Sequence, residues 1–250
     1  MAQGYIILDC EGTELDFCEL SEPLYKSVIS RNYDVALTIS RALHRSHNGK
    51  IIAEVVKKLL ENNNGNVLAF GYKLKNGGLK QAFNDHFPKE LKLILNKENI
   101  KLINKRDGLA VKLALEAEYN DKECLGDSKD KTSSNVSWKF VSVCDDDRMF
   151  FKIVNTDSNR YMKLEVKNDQ AGDHIAWGAI ESDTDRHLWY LDPVMSNGVL
   201  LFYIYNKQYG QALKLGRATN EVGDRILWGH NGAVTGNPEK FGWIIEAWDC

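Results

Sequence analysis

The sequence predicts an α+β protein of two domains, in which helices come first and short strands follow. Three observations carry this prediction: helix-period apolar patterning up to about residue 96, strand-like alternation after it, and a repeat of 51 residues in the strand part. The expected division is a loose arm over 1–20, an all-α helical bundle over 21–96 and a strand domain over 97–250.

The N-terminal arm lacks the features of a secretory signal. No basic segment precedes its apolar run at 5–8, and that run is too short for the core of a signal peptide. The five cysteines, at 10, 18, 124, 144 and 250, form no C-x-x-C pair, which argues against a zinc site. Cys10 and Cys18 would bridge only in an oxidising compartment, and the odd count leaves at least one thiol unpaired.

Helix signals begin at Ser21, where Ser-Glu-Pro is typical of a helix N-cap, and Asn32 opens a second helix. The third helix has the strongest pattern, with six aliphatic side chains on one stripe: Ile51, Ile52, Val55, Val56, Leu59 and Leu60. Two further helices are expected over 67–74 and 79–87. Pro88 then breaks the chain, and residues 91–95 lead into the strand domain.

Three stretches of the strand domain share one order: an apolar run, an Asn, a polar turn and a second run that closes on Lys-Leu. The Asn recurs at 104, 155 and 206 and the closing Leu at 113, 164 and 215, so both intervals are 51 residues. A Trp opens a later strand at 138, 189 and 243, so the third unit is three residues longer. Three units of about four short strands, closed so that no sheet edge remains, define a C-terminal β-trefoil with three repeats of about 51 residues. A propeller is the competing architecture, but it needs about four blades or more.

Composition and motifs argue against several functions. A net charge of −3 leaves no basic excess for nucleic acid or for a polybasic membrane anchor, and no apolar run is long enough to span a bilayer. The sequence has no G-x-S-x-G, H-E-x-x-H or phosphate-binding loop, so we expect no enzyme activity, no cofactor and no metal. His44 and His47 fit a solvated helix face, and the acidic clusters at 145–147 and 181–183 fit turns.

Two strands of the second and third units carry the pattern of a sugar site. Asp173 to Gly178 and Asp224 to Gly229 lie 51 residues apart, and the first unit has Cys124 to Asp127 there, with Gly126 in phase with the two tryptophans. A pyranose stacks on an aromatic ring while its hydroxyls need donors and acceptors. The candidate carbohydrate-binding residues are Asp173, His174, Trp177, Asp224, Arg225, Trp228, His230 and Asn231. The alternative is that both tryptophans fill the core, and the Gln-x-Trp repeat of ricin-type lectins is missing.

A second candidate site is the third helix. Its six aliphatic residues, Ile51, Ile52, Val55, Val56, Leu59 and Leu60, exceed a narrow core stripe and would contact acyl chains if the bundle separated. The alternative is a buried central helix of a compact bundle.

The order of motifs resembles one family. Ile100-Lys-Leu, Val136-Ser-Trp-Lys, Phe151-Lys-Ile-Val-Asn, Gly172-Asp-His-Ile-Ala-Trp-Gly and Trp228-Gly-His-Asn-Gly are similar to segments of the low-molecular-mass (thirty-kilodalton) haemolymph lipoproteins of silkworm and other moths. The resemblance covers about residues 21–248. It implies a helical domain before a β-trefoil, and an abundant secreted storage protein of insect haemolymph.

The family resemblance further implies lipid association, uptake by cells of fat body or egg, and recognition of sugars or glucans in immunity. We therefore expect a non-enzymatic storage protein that carries lipid. A lectin-like carbohydrate-binding protein is the alternative, and a trefoil protease inhibitor is a third class that the sequence leaves open.

Overall fold

A computed structural model of the chain describes residues 17–115, 121–127, 133–144, 148–180, 184–220, 223–234 and 236–248. Cys10, Cys250 and the acidic clusters at 145–147 and 181–183 lie outside these residues. Packing divides the chain into a helical unit that ends at Lys92 and a strand unit that begins at Leu93.

The helical unit opens with a 3₁₀ turn over Phe17–Leu20. Six helices follow, the last of which runs into the strand unit: α1 (Ser21–Ile29), α2 (Tyr33–Arg45), α3 (Lys50–Glu61), α4 (Asn66–Asn76), α5 (Lys80–His86) and α6 (Lys89–Asn96). The expected second helix is confirmed together with its cap, because the Asn32 side chain accepts a hydrogen bond from the Val35 N–H at 3.4 Å.

Two sequence expectations for the helices were wrong in detail. Ser21 is the first helical residue and not the cap, because the 3₁₀ turn runs directly into α1 and Leu20 occupies the cap position. Pro88 directly precedes α6, so a helix follows the proline where the sequence predicted only a break. Its carbonyl accepts from the Lys92 N–H at 3.2 Å, and a proline at this end has no N–H to leave unpaired.

The described residues of the strand unit form twelve strands: β1 (Ile100–Asn104), β2 (Ala110–Leu113), β3 (Lys122–Asp127), β4 (Trp138–Cys144), β5 (Met149–Asn155), β6 (Tyr161–Asn168), β7 (His174–Ala179), β8 (Trp189–Ser196), β9 (Val199–Asn206), β10 (Ala212–Thr219), β11 (Arg225–His230) and β12 (Trp243–Ala247). Every strand pairing among them is antiparallel. An N-terminal helical region followed by a large antiparallel sheet is therefore confirmed.

Six of the strands form a closed ring. β1 pairs with β4, β4 with β5, β5 with β8, β8 with β9, β9 with β12, and β12 returns to β1. The other six strands form three hairpins, β2–β3, β6–β7 and β10–β11. Their second strands, β3, β7 and β11, also pair with one another in all three combinations. The hairpins therefore meet at one place, and the candidate residues Trp177 and Trp228 lie there.

Two sets of buried polar groups recur around the ring. Each of the tryptophans that open β4, β8 and β12 donates its indole N–H to a carbonyl at the start of a hairpin: Trp138 to Val111 at 2.8 Å, Trp189 to Met162 at 2.9 Å and Trp243 to Leu213 at 3.0 Å. The three asparagines at 104, 155 and 206 are fully or almost fully buried and hold their turns through side-chain hydrogen bonds. A buried amide costs free energy unless it is paired, so these contacts explain why Asn and Trp recur.

The longer third unit also has a structural reason. Short 3₁₀ turns over Ser134–Val136 and Asp185–His187 precede the first two tryptophans. A four-residue helix, α7 (Pro238–Phe241), precedes the third, and Asn237 caps it by accepting from the Lys240 N–H. The three extra residues lie between the end of β11 and Trp243, in the segment that contains α7, and α7 itself is one residue longer than each 3₁₀ turn.

Candidate functional site

A cavity of about 810 Å³ lies where the hairpins meet, and two indole rings form part of its wall. We call it the indole cavity, and its lining residues are Asp121, Lys163, Glu165, Val166, Lys167, Asn168, Asp169, Ile175, Trp177, Arg186 and Trp228. This volume is within the usual range for a small-molecule site, roughly 300–1,000 Å³.

The strand register explains why the two tryptophans share this wall. Trp228 on β11 lies opposite Ile175 on β7, and Trp177 is two residues further along β7. Residues two apart on a strand point to the same face, so the two indoles are diagonal neighbours across the β7–β11 pair. Trp177 and Trp228, which the sequence analysis singled out, are thus brought together with both rings partly buried.

The sequence analysis placed Gly126 at the position of Trp177 and Trp228, and this assignment was wrong by one residue. Lys112, Lys163 and Lys214 stand opposite Leu125, Trp177 and Trp228 in their hairpins, so the first unit has Leu125 and not Gly126 at the tryptophan position. The first unit is one residue out of phase at this strand, which a fixed interval of 51 residues conceals. One of the three hairpins therefore has an aliphatic side chain where the other two have an indole.

Gly178 and Gly229, which directly follow the two tryptophans, permit close packing between neighbouring hairpins. A β-carbon on Gly178 would lie 2.5 Å from Leu113 Cδ1, and one on Gly229 would lie 2.4 Å from Leu164 Cδ1. The closing leucines of the repeat therefore pack against bare backbone. Gly216 makes room for an indole ring instead, because a β-carbon there would lie 2.8 Å from Cδ1 and Nε1 of Trp228. The Trp228 indole lies against the Gly216 backbone, which fixes the ring in the cavity wall.

The polar part of the wall centres on Lys163, a residue that sequence reasoning missed. Its Nζ lies 2.6 Å from an oxygen of Asp121 and 2.6 Å from an oxygen of Glu165, and Arg186 is 3.8 Å from Glu165. Burial alone would raise the pKa of Glu165, but the hydrogen bond and charge of Lys163 lower that pKa below its ordinary value. The wall thus carries ionised, paired groups. The recurring Lys-Leu motif was the one signal that pointed to Lys163.

One donor in the wall has no partner. The Nε1 atom of Trp177 is buried and makes no hydrogen bond within the described chain, whereas the indoles of Trp138, Trp189 and Trp243 are all paired. A buried unpaired donor costs about 1–3 kcal/mol, and because this atom has almost no exposed surface, a ligand would reach it only after the ring moves.

Four of the predicted sugar-binding residues lie together, but they do not line the cavity. Asp173 is 5% exposed, and its carboxylate accepts from the Asn231 N–H at 2.7 Å and from Lys214. His230 stacks on Phe241, with ring centroids 4.9 Å apart. His174 is 8% exposed and stacks on Tyr209 at 3.9 Å. These side chains are committed to internal contacts.

Asp224 and Arg225 lie in another place and also make internal contacts. Asp224 forms an ion pair with Lys112 at 2.7 Å. Arg225 pairs with Asp107 at 2.8 Å and donates from Nε to the Gly216 carbonyl at 2.9 Å. Of the eight predicted residues, the structure places only Trp177 and Trp228 at the indole cavity.

The predicted lipid-binding face of α3 is closed. All six residues, Ile51, Ile52, Val55, Val56, Leu59 and Leu60, are buried, with exposures between 0% and 8%. α3 packs against α1, α4 and α5 within the helical unit. An acyl chain would reach this face only after those helices separated.

The described residues contain neither a metal-binding cluster nor a membrane-spanning helix. Within those ranges, no three or more His, Cys, Asp and Glu side chains are grouped so as to hold a metal ion. No helix of the described chain is both long and apolar enough to cross a membrane.

Comparison with known proteins assigns the chain to a family. Residues 18–247 match the sequence model of the lepidopteran low molecular weight (30 kD) lipoproteins, and the chain belongs to that family. The chain is 42% identical to low molecular mass lipoprotein 3 of Bombyx mori over 229 residues, which cover 91% of this chain and 90% of the relative. It is 41% identical to microvitellogenin of Manduca sexta over 228 residues, covering 91% and 92% of the two chains.

Among solved structures, the designed 3-fold symmetric protein ThreeFoil overlaps 59% of this chain and 96% of its own, with a TM-score of 0.47 and 16% identity.

Proposed function

We propose that this chain is a non-enzymatic storage protein, secreted into insect haemolymph, that carries lipid with its apolar part in the indole cavity. Membership of a family of lipoproteins supports the lipid. Relatives named low molecular mass lipoprotein and microvitellogenin support a storage role in the animal.

The α3 face and the indole cavity differ in accessibility, and this difference favours the cavity as the lipid site. The α3 face is closed by its neighbouring helices, whereas the indole cavity is open and has Trp177, Trp228, Ile175 and Val166 in its wall. Val166 is 66% exposed at this wall, so it adds accessible apolar surface to that of the two indoles and Ile175.

The charges of the cavity indicate which lipids fit. Its ionisable lining consists of three acidic and three basic residues: Asp121, Glu165, Asp169, Lys163, Lys167 and Arg186. Such a balanced set gives no preference for an ionic headgroup. Burial of an acyl chain against the indoles contributes about 0.8 kcal/mol per methylene, which favours a ligand with a long apolar part. We therefore propose a neutral, single-chain lipid such as a monoacylglycerol.

We also propose that the strand unit is a β-trefoil domain of three repeats and that the preceding helices form a separate bundle domain. The closed ring of six strands, the three mutually paired hairpins and the recurring Trp and Asn hydrogen bonds support this architecture.

Mass spectrometry of lipid extracted from natively purified protein tests the function. We expect close to one neutral lipid per chain after size-exclusion chromatography without detergent. Protein that elutes lipid-free, and that takes up no monooleoylglycerol on titration, would show that the chain is not a lipid carrier.

Carbohydrate binding is the second candidate, and the presence of two indoles in one cavity wall favours it, because a pyranose stacks on aromatic rings. Asn168 and Asp169 at the same cavity offer further polar groups for sugar hydroxyls. Calorimetric titration with glucose and a soluble β-glucan separates the two candidates. Saturable glucan binding in lipid-free protein, with no uptake of monooleoylglycerol, would favour the lectin over the carrier.

A further inference from the structure

The lysines at 112, 163 and 214 occupy equivalent positions in the three hairpins, and each is held by partners from two places in the fold. Lys112 lies between Asp127 and Asp224, at 2.8 and 2.7 Å. Lys163 lies between two carboxylates in the same way. One carboxylate of each pair comes from a different hairpin unit: Asp224 of the third unit for Lys112, and Asp121 of the first unit for Lys163. These ion pairs therefore join neighbouring units.

The third lysine departs from this pattern. Lys214 takes its carboxylate from Asp173, but its second partner is the imidazole of His230, with Nζ 3.2 Å from Nδ1. Gly126 and Gly229 face Val111 and Leu213, which are equivalent hairpin positions, so His230 stands where Asp127 stands in the first unit. An acidic partner is thus replaced by a titratable base. We call Asp173, Lys214 and His230 the histidine clasp.

His230 has charged neighbours on three sides of the clasp, from β10, from α7 and from the residue before β7. Lys214 on β10 and Lys240 on α7 are cationic neighbours, Asp173 before β7 is the anionic one at 3.4 Å, and the Phe241 ring covers one face of the imidazole. Burial lowers the pKa of His230, and the positive charge of Lys214 lowers it further, against the opposing effect of Asp173. The folded clasp therefore prefers the neutral imidazole, whose Nδ1 accepts from Lys214.

The sign of the pH effect follows from this preference. A histidine whose pKa is lower in the folded state stabilises the fold above its unfolded value of 6.5, and this stabilisation is lost as pH falls towards the folded pKa. Asp173 stays ionised over that range, because its pKa is held below the ordinary value: burial acts to raise it, but the hydrogen bonds from Lys214 and the Asn231 N–H prevail. Protonation then places two cations 3.2 Å apart with one carboxylate to share.

The clasp adjoins the two strands that carry the indoles. Asp173 immediately precedes β7, and His230 ends β11. The β7–β11 ladder itself has only two paired positions, Ile175 with Trp228 and His174 with Gly229. The hydrogen bond from the Asn231 N–H to Asp173 therefore adds substantially to a short contact.

We propose that protonation of His230 at mildly acidic pH opens the histidine clasp, loosens β7 from β11 and releases the ligand held between Trp177 and Trp228. The clasp is a property of the fold, whereas the release rests on the proposed lipid carriage. An acid-sensitive contact at the ligand site is the kind of two-state element through which a histidine acts as a pH switch.

The test compares the intact wild-type protein with His230→Asn and His230→Asp at pH 7.5 and pH 5.0. Binding of monooleoylglycerol, a neutral lipid with no titration of its own, is measured by calorimetry. We expect wild-type affinity to fall by about fivefold or more at pH 5.0, a typical size for coupling between sites, and both variants to change less than twofold. His230→Asp introduces the residue type that Asp127 supplies at the equivalent position of the first unit. It provides the comparison if the His230→Asn protein folds poorly. His47→Asn, at an exposed helical-unit residue, is the matched control and should behave as wild type.

Amide exchange at Asn231, whose N–H bonds to Asp173, gives a readout that needs no ligand. At pH 5.0 we expect faster exchange in wild type than in His230→Asn, and equal exchange at pH 7.5. If wild type binds no lipid at pH 7.5, the proposed function fails while exchange still decides whether the clasp opens. Equal exchange in both proteins at pH 5.0, or the same loss of affinity in the variants as in wild type, would overturn the inference.

Discussion

Replacement of Trp228 separates a ligand-binding indole from a structural one and also separates the two candidate ligands. Trp228→Ala removes the ring, whereas Trp228→Leu introduces the kind of side chain that Leu125 supplies at the equivalent position of the first unit. Trp243→Ala is the matched control, because Trp243 is fully buried and its indole N–H donates to the Leu213 carbonyl at 3.0 Å.

The expected magnitudes differ between the two tryptophans. Truncation of a core Trp costs about 3–5 kcal/mol, and each kcal/mol lowers the melting temperature of a chain this size by about 2–4 °C. Trp243→Ala should therefore melt roughly 6–20 °C below wild type. Trp228 is only partly buried, although its ring lies against Gly216, so we expect a loss near 1 kcal/mol and a shift of a few degrees.

Ligand affinity also distinguishes the Trp228 variants from wild type. Loss of the ring should weaken ligand binding by about 1–2 kcal/mol, or roughly 5- to 30-fold. Trp228→Leu should retain most of the affinity for monooleoylglycerol, since apolar contact is not directional, but it should lose sugar affinity as fully as Trp228→Ala. Calorimetry and melting scans on all four proteins provide the data. A Trp228→Ala protein that melts as low as Trp243→Ala and binds like wild type would refute the role of Trp228 in a site.

Leu59→Asp should destabilise the helical unit by about 3 kcal/mol or more, because Leu59 is fully buried and the new charge has no partner; an unchanged denaturation midpoint with lost lipid uptake would instead show an exposed lipid-binding α3 face. A fragment that begins between Asn96 and Asn99 should fold alone and give an all-β circular dichroism spectrum, whereas helical signal or aggregation would argue against the division into two domains. The sequon at Asn135 should be poorly glycosylated in protein secreted from insect cells, because its Nδ2 donates to the Leu113 carbonyl at 3.3 Å; full occupancy by intact-mass analysis would disagree.

The order of helices and strands was predictable because each element carries a strong periodic signal. The α3 stripe, the Asn32 cap and the recurring Trp residues each depend on local chemistry that the sequence displays directly. α6 was missed because Pro88 was taken as a stop signal, although proline also fits the first turn of a helix. The two-domain division and the threefold repeat remain proposals.

The candidate site was less predictable, because it depends on which strands become neighbours. Trp177 and Trp228 were found from their spacing, but Asp173 and Asp224 share the same spacing and form ion pairs with Lys214 and Lys112. A repeat of polar residues indicates equivalent positions, and only the strand register shows whether they face a cavity or a neighbouring unit. Lys163 escaped notice because a lysine near a closing leucine looks like an exposed strand residue, yet it is 8% exposed.

Photo-crosslinking with a diazirine-bearing monoacylglycerol tests the location of the lipid most directly. The labelled protein is digested, and modified peptides are identified by tandem mass spectrometry, with excess unlabelled monooleoylglycerol as competitor. We predict competable labelling of the segments that contain Val166, Ile175 to Trp177, and Trp228. Labelling confined to α3, Lys50–Glu61, would contradict the indole cavity as the lipid site and would show that the helical unit opens to bind.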